Sequence, residues 1–211
     1  LVIDRIAART LELTDSSMQG GATLLSVLNH TNTPMGLRML KWWLLNPSRN
    51  VALINRRLGV VEYFTVNWAY AQELEKLLSE LYDIERITNR VASSRVNPRE
   101  LVWLKNSLTG LPCIADMLES SGRSEICALG EKMHECGKIA ELIAASIDDD
   151  PPLAIKDGDI IRTGYNPTVD ELRKVKTGGR QMVAAMEAEL KRSTGIGQLK
   201  ISYNKVFGYY I

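Results

Sequence analysis

The dipeptide Asn97-Pro98 marks where one helix has to stop and another can begin, and the stretch around it, Tyr82 to Leu108, organises the chain. An asparagine side-chain oxygen can accept a hydrogen bond from an orphan N–H of the first helical turn. Proline suits the first helical position, where no N–H is needed. Glu100 falls where a capping-box carboxylate reaches back to the cap. Upstream, Leu74, Leu77, Leu81, Ile84, Ile87 and Val91 recur at three- and four-residue steps, which predicts one shared helix face. Ser93-Ser94 weaken that pattern. Downstream, Leu101, Leu104 and Leu108 continue an apolar face. By pattern alone the stretch is a helical hairpin hinged at Asn97-Pro98.

The same signal recurs at Thr33-Pro34 and Asn166-Pro167. After the first, Leu37, Leu40 and Leu44 form a face up to Asn46-Pro47, which ends the helix. Asn50 caps the next, with Leu53 or Ile54, Leu58 and Val61 on one side. Trp42, Trp43 and Trp68 are expected to be core or helix-junction anchors. Residues 1–22 read as an irregular entry, and the apolar stretch Thr23 to Asn29 suits a short helix or a strand. Beyond the hinge, Gly110 and Pro112 punctuate, leaving a short helix at Ile114 to Leu118. Ser124 is expected to cap a longer helix with Ile126, Leu129, Met133, Cys136, Ile139 and Ile143 near one face. Asp157-Gly158 between two apolar runs is a β-hairpin signal. The helix after Pro167 carries Val169, Leu172, Val183, Met186 and Leu190, with Gly178-Gly179 as a weak point. Each such glycine costs about 1 kcal/mol relative to alanine. Gly195 is the expected C-terminal stop. The aromatic run Tyr203 to Ile211 is strand-like.

The charge balance, 26 Lys+Arg against 25 Asp+Glu, gives a net +1. A dedicated DNA-binding module is usually strongly basic, so any nucleic-acid contact is local. Cys113, Cys127 and Cys136 have no CxxC spacing, and His134 and Cys136 are too close in sequence to share a helix face. No zinc site is expected, and unpaired thiols fit a reducing compartment. No run is suited to crossing a membrane. Lys176-Thr177-Gly178-Gly179 has phosphate-loop letters in the wrong order, inside a helix pattern. Asp83 with Glu85, and Glu187 with Glu189, are pairs two residues apart that do not converge on a helix. Asp148-Asp149-Asp150 reads as a solvated helix end rather than a calcium loop. No catalytic residue and no metal ligand is assigned. The absence of an initial Met and the end inside a strand-like run suggest a piece of a longer protein.

Longer motifs carry a resemblance. Asp83-Ile84-Glu85-Arg86-Ile87, then Arg95, Asn97-Pro98-Arg99 and Leu101, resemble the central segment of the MutS family of DNA mismatch-repair ATPases. Leu24 to Leu28, Thr31, Thr33-Pro34-Met35-Gly36, Arg38 to Lys41 and Trp43-Leu44 are similar to the block that opens that family's core. The opening departs from the usual pattern, with Ala7 and Thr10 between Asp4 and Leu11-Glu12. Gly164-Tyr165-Asn166 and Asp170 to Arg173 resemble the re-entry into a lever helix. Leu199-Lys200-Ile201 and YNKVFGYYI (Tyr203–Ile211) resemble the first strands of the family's clamp domain.

The resemblance implies a mainly α fold: a long-helix core/lever bundle with a short hairpin and the first β-strands of a clamp. Residues 1–194 would form the core/lever domain and 195–211 the truncated start of the clamp. It further implies levers that carry ATP-linked change to a clamp gripping double-stranded DNA non-specifically. ATP and Mg2+ would act in a separate ATPase domain of the full-length protein, a DNA-dependent ATPase. This stretch would then hold no cofactor and be no enzyme itself. A MutS-type dimer partner, downstream mismatch-repair factors and a cytoplasmic, DNA-associated location follow. Lys200 and Lys205 are the candidate DNA contacts, with solvated strand-edge charges as the alternative for both. Other readings of the chain are a divergent paralogue acting on recombination intermediates and a helical scaffold without a DNA role. A lever-only scaffold has no use for the Tyr203–Ile211 run.

Overall fold

The Asp4 carboxylate accepts from the Ala7 N–H at 2.8 Å and starts α1 (Arg5–Thr10), so the entry segment is helical in part rather than irregular. The computed structural model describes Ile3 to Ile211 except Gln19 and Phe207, and describes only the backbone of Lys132, His134, Glu135, Thr177 and Arg180. Local caps then set one helix after another. Thr23 and Ser26 form a capping box at α2 (Leu24–Leu28). Thr33 accepts from the Gly36 N–H at 3.0 Å at α3 (Pro34–Leu45), and Asn50 from the Leu53 N–H at 3.1 Å at α4 (Val51–Val66).

The face predicted from Leu74 to Val91 is divided between two helices, α5 (Trp68–Ser79) and α6 (Ile84–Ala92). Two bonds outside the helical ladder open the gap. The Tyr82 N–H donates to Ser107 Oγ at 2.9 Å, and Asp83 Oδ1 accepts from the Arg86 N–H at 3.0 Å. The periodic residues therefore serve two clusters. Leu74, Leu77 and Leu81 pack with Ile114, Leu118 and Ile126, while Ile84 and Ile87 pack with Leu104, Leu108, Ala140 and Ile143.

Helix α7 (Pro98–Ser120) joins those clusters, running without a break through Gly110 and Pro112. The separate short helix expected at Ile114 to Leu118 is its last turns. Proline inside a helix costs about 3 kcal/mol through the lost bond and its ring contact. Leu104 and Leu108 on one side and Ile114 and Leu118 on the other are each buried. At roughly 1.5–3 kcal/mol per buried side chain, burial outweighs the proline.

The long helix expected after Ser124 is also interrupted. It comprises α8 (Ser124–Gly130), a 3-10 segment Glu131–Cys136 and α9 (Gly137–Ser146). Ser124 is the first helical residue rather than the cap, and its hydroxyl donates to Glu125 at 3.2 Å. At the end of α8 a Cβ added to Gly130 would lie 2.7 Å from the Ala115 carbonyl oxygen, so a side chain there would force α8 away from α7. Trp42, Trp43 and Trp68 are not core anchors: they are 56%, 39% and 64% exposed. At Asp157-Gly158 the chain makes a short 3-10 turn, Ile155–Asp157, and not a β-hairpin.

The chain separates into two compact units, residues 1–160 and residues 161–211. The second is built on α10 (Pro167–Thr194), capped by Asn166 and continuous through Gly178-Gly179. Gly195, at φ 69°, ends it in the left-handed conformation that glycine adopts without steric cost. Strands β1 (Ser202–Asn204) and β2 (Gly208–Tyr210) follow as an antiparallel pair, with Tyr203 opposite Tyr209. The fold is mainly α, with a two-stranded antiparallel sheet at the C-terminal end.

Candidate functional site

Two places carry the residues singled out by sequence: the turn between α6 and α7, and the hairpin after α10. At the turn, Ser94 just beyond the end of α6 sits at φ 55°, and the Arg95 N–H donates to the Arg90 carbonyl at 2.8 Å. Asn97 then takes an extended conformation and caps α7, its Oδ1 accepting from the Glu100 N–H at 2.9 Å. Glu100 Oε2 returns the bond, accepting from the Asn97 N–H at 2.9 Å. The same oxygen accepts from Arg90 Nε at 2.9 Å, and Arg90 Nη2 donates to the Arg95 carbonyl at 2.8 Å. Pro98 is buried at the first helical position. One guanidinium thus spans the end of α6, the connecting loop and the first turn of α7.

The other end of α6 is held in the same way. Arg38 of α3 donates to both Asp83 oxygens at 2.7 and 2.8 Å and to Glu85 Oε2 at 2.7 and 3.0 Å. Asp83 and Glu85 do converge, contrary to the helix-spacing argument, because Asp83 is the cap and lies outside the helix. They converge on a guanidinium, which leaves neither available as a general base. The Arg38 hydrogen bonds, opposed by partial burial and assisted by the Arg86 N–H, hold the Asp83 carboxyl below its ordinary range. The Arg38 guanidinium is correspondingly driven further toward its charged form, chiefly by its bonds to Asp83 and then Glu85. Tyr82 stacks on Trp103 of α7, ring centroids 5.2 Å apart and planes 6° from parallel. The sequence carries no local sign of the Arg38 pairing, since its partners are 45 and 47 residues away.

In the second unit, Lys200 precedes β1 and Lys205 sits in the turn that follows it, both exposed. Near the foot of the hairpin, Glu187 of α10 accepts from Lys191 at 2.6 Å and from the Ile201 N–H at 3.2 Å. Those two bonds, in that order, lower the Glu187 pKa, and the Lys200 charge adds to the effect. Lys200 therefore works in the field of a carboxylate. At the turn, Asn204 Oδ1 accepts from the Val206 N–H at 2.9 Å, and Gly208, at φ 72°, begins the return strand. Tyr203 and Tyr209 make an edge-to-face pair across the strands at 5.1 Å. This arrangement presents cations and aromatic faces at the surface.

The stretch with phosphate-loop letters lies inside α10. There the backbone N–H groups are bonded along the helix and cannot cradle a phosphate. Asp149 of the acidic run pairs with Lys105 at 2.7 Å. Among the described residues, no helix is long and apolar enough to cross a membrane.

Comparison with known proteins agrees over nearly the full length. The family model described as MutS domain III matches residues 7–203. The DNA mismatch repair protein MutS of Geobacillus sp. (strain WCH70) is 41% identical, covering 99% of this chain and 24% of the relative. Its namesake from Pelotomaculum thermopropionicum is also 41% identical, over 100% of this chain and 25% of the relative. That of Methanosarcina barkeri is 39% identical, again over 100% of this chain and 24% of the relative. The chain spans about a quarter of the length of the curated relatives it matches.

Proposed function

The chain belongs to the MutS domain III family, and on that premise we propose that it carries movement between an ATP-driven domain and a grip on DNA within a DNA mismatch repair protein. The observation that carries this reading is α10, a single helix of 28 residues that ends at Gly195 and leads into the β1–β2 hairpin of its own unit. At 1.5 Å per residue it extends about 42 Å. Its backbone bonds are internal, so displacement at one end reaches the other with little loss. Lys205, at the tip of the hairpin, and Lys200, at its foot, contact phosphates once the clamp is complete. Such contacts position DNA without reading its sequence.

The turn at Asn97-Pro98 is the joint on the other side of the mechanism. Arginines brace α6 at both ends, so it moves as one body, and the capped start of α7 is where the chain changes direction. ATP and Mg2+ act in a separate domain of the longer protein. A second MutS-type subunit and downstream repair factors complete the assembly, which works on DNA in the cytoplasm.

A chimera tests the reading. The chain replaces the matching quarter of the Geobacillus relative, and duplex binding, ATP turnover and the effect of ATP on DNA residence are measured. Gly179→Pro interrupts α10 at its middle. The expected result is retained binding and turnover with loss of the ATP effect on residence time. An unchanged ATP effect in the proline variant, with the helix break verified, overturns the lever.

A further inference from the structure

The segment that follows α9 is held more firmly than a connection requires. Residues 148–160 form a loop closed at its neck, where the Asp148 N–H donates to the Ile160 carbonyl at 2.8 Å. Closure at the neck is enough to pass the chain onward. Here the first part of the loop is also fastened to α7. Lys105 Nζ donates to Asp149 Oδ1 at 2.7 Å, and Arg99 Nε donates to the Pro151 carbonyl at 3.0 Å. The Lys105 side chain is 18% exposed and that of Asp149 66%, so their ion pair is partly screened. Pro151 is fully buried, and the Arg99 bond to its carbonyl is the stronger hold.

The order of these contacts gives the loop a direction. As the loop runs from Asp149 to Pro151, its partners run from Lys105 back to Arg99, toward the start of α7. Those partners lie about 9 Å apart along the helix at 1.5 Å per residue. The loop is stiff where it meets them. The rings of Pro151 and Pro152 fix φ, and Asp150 and Pro151 are kept out of the helical region by the proline that follows each. A Pro-Pro strut passes on a displacement that a Gly/Ser-rich loop would absorb. It ends on Arg99, which stands between Pro98 and Glu100 in the first turn of α7. The capping box uses Asn97 and Glu100, and the Arg99 side chain is given to the loop instead.

Given the lever function proposed for α10, on which this rests, we infer that Arg99 is the residue that couples the chain leading into α10 to the Asn97-Pro98 turn. Residues 148–160 act as a strut. Displacement of the chain at Ile160 reaches Asp148 through the neck bond, and reaches α7 through Pro151 and Arg99. The Arg90–Glu100 pair shares it with the end of α6. Lys105 is a second fastener that keeps the strut aligned along α7. Both side chains act through the loop, as positioning residues.

The test has a structural arm and a functional arm. In the whole chain, hydrogen exchange is read at the Asp148 amide, the donor of the neck bond. Arg99→Ala should speed its exchange about tenfold or more. A retained cooperative urea transition in tryptophan emission verifies that the variant is folded. Unchanged exchange overturns the proposal. In the chimera with the Geobacillus relative, Arg99→Ala should leave duplex binding and ATP turnover in place. The effect of ATP on DNA residence should fall about fivefold or more. Arg99→Lys keeps a charged donor and should recover most of that effect. If Arg99→Ala lowers binding and turnover as much as the ATP effect, Arg99 is only structural and the coupling is refuted. Gly179→Pro separates the two ways of failing. If it abolishes the ATP effect while Arg99→Ala leaves that effect unchanged, the lever stands and the coupling is refuted. If neither variant changes the effect, the lever fails and the coupling falls with it. Should Arg99→Ala not fold, Lys105→Glu, which sets like charges against Asp149, takes its place in both arms with the same outcomes.

Discussion

Replacing Glu100 by alanine should cost residues 1–160 about twice what replacing Asn97 costs, although Asn97 is the cap. Asn97→Ala removes one acceptor from the first turn of α7, worth about 1 kcal/mol. Glu100→Ala removes the return bond to the Asn97 N–H and also the bond from Arg90. The Glu100 side chain is 13% exposed and that of Arg90 37%, so the ion pair is partly screened and Arg90 can recover water. Its share is therefore set at the low end, about 1 kcal/mol. The box bond adds about 1 kcal/mol, for a total near 2 kcal/mol. The two residues act on the same turn, so the double variant should fall about 1 kcal/mol short of the sum. All four tryptophans, Trp42, Trp43, Trp68 and Trp103, lie in residues 1–160, and their emission in urea reports that unit. With a slope of about 2 kcal/mol/M, the midpoints should drop by about 0.5 M for Asn97→Ala and about 1 M for Glu100→Ala. Equal shifts for the two single variants, or full additivity in the double, would refute the idea that Glu100 joins the cap to the Arg90 brace.

Pro112→Ala should raise stability by roughly 1–2 kcal/mol, because Pro112 is exposed, sits inside α7 and supplies no N–H; a lower urea midpoint would show that the ring packs usefully. The Asp83 pKa is depressed by Arg38, so its stabilisation is complete above the ordinary value of 3.8 and is lost as pH falls through the lower folded value. Unfolding followed from pH 6 to pH 2 should show a loss below about pH 4 that Asp83→Asn largely removes, and an identical pH profile in the variant would contradict this. The chain on its own should bind duplex DNA weakly, with strong salt dependence and no preference for a mismatch, since two lysines release few counterions. In a chain extended through the rest of the clamp, Lys205→Ala should weaken matched and mismatched duplexes alike, as measured by fluorescence anisotropy at two salt concentrations; a selective loss on mismatches would contradict a phosphate contact.

What was legible in the sequence was local. Thr33, Asn50, Asn97 and Asn166 cap helices, and Gly195 ends one, because a cap is settled by atoms within four residues of each other. The strand pair after Gly195 was legible too, as were the long irregular motifs shared with the MutS family. The misread elements depended on distant partners. Pro112 looked like a helix end because the penalty is local while the burial that outweighs it comes from α5, α6, α8 and α9. The break before α6 was hidden because Leu74 to Val91 keep one period while serving two clusters.

For the candidate site the division is the same. The residue types at the hinge and the order of cap, proline and glutamate are properties of the chain itself, and they act over one turn of helix. The bracing of α6 by Arg38 and Arg90, the stacking of Tyr82 on Trp103, and the stacking of Arg57 on Trp43 exist only once helices from separate parts of the chain are packed. Charge pairing and burial depend on distances through space, and the sequence specifies those only through the tertiary fold.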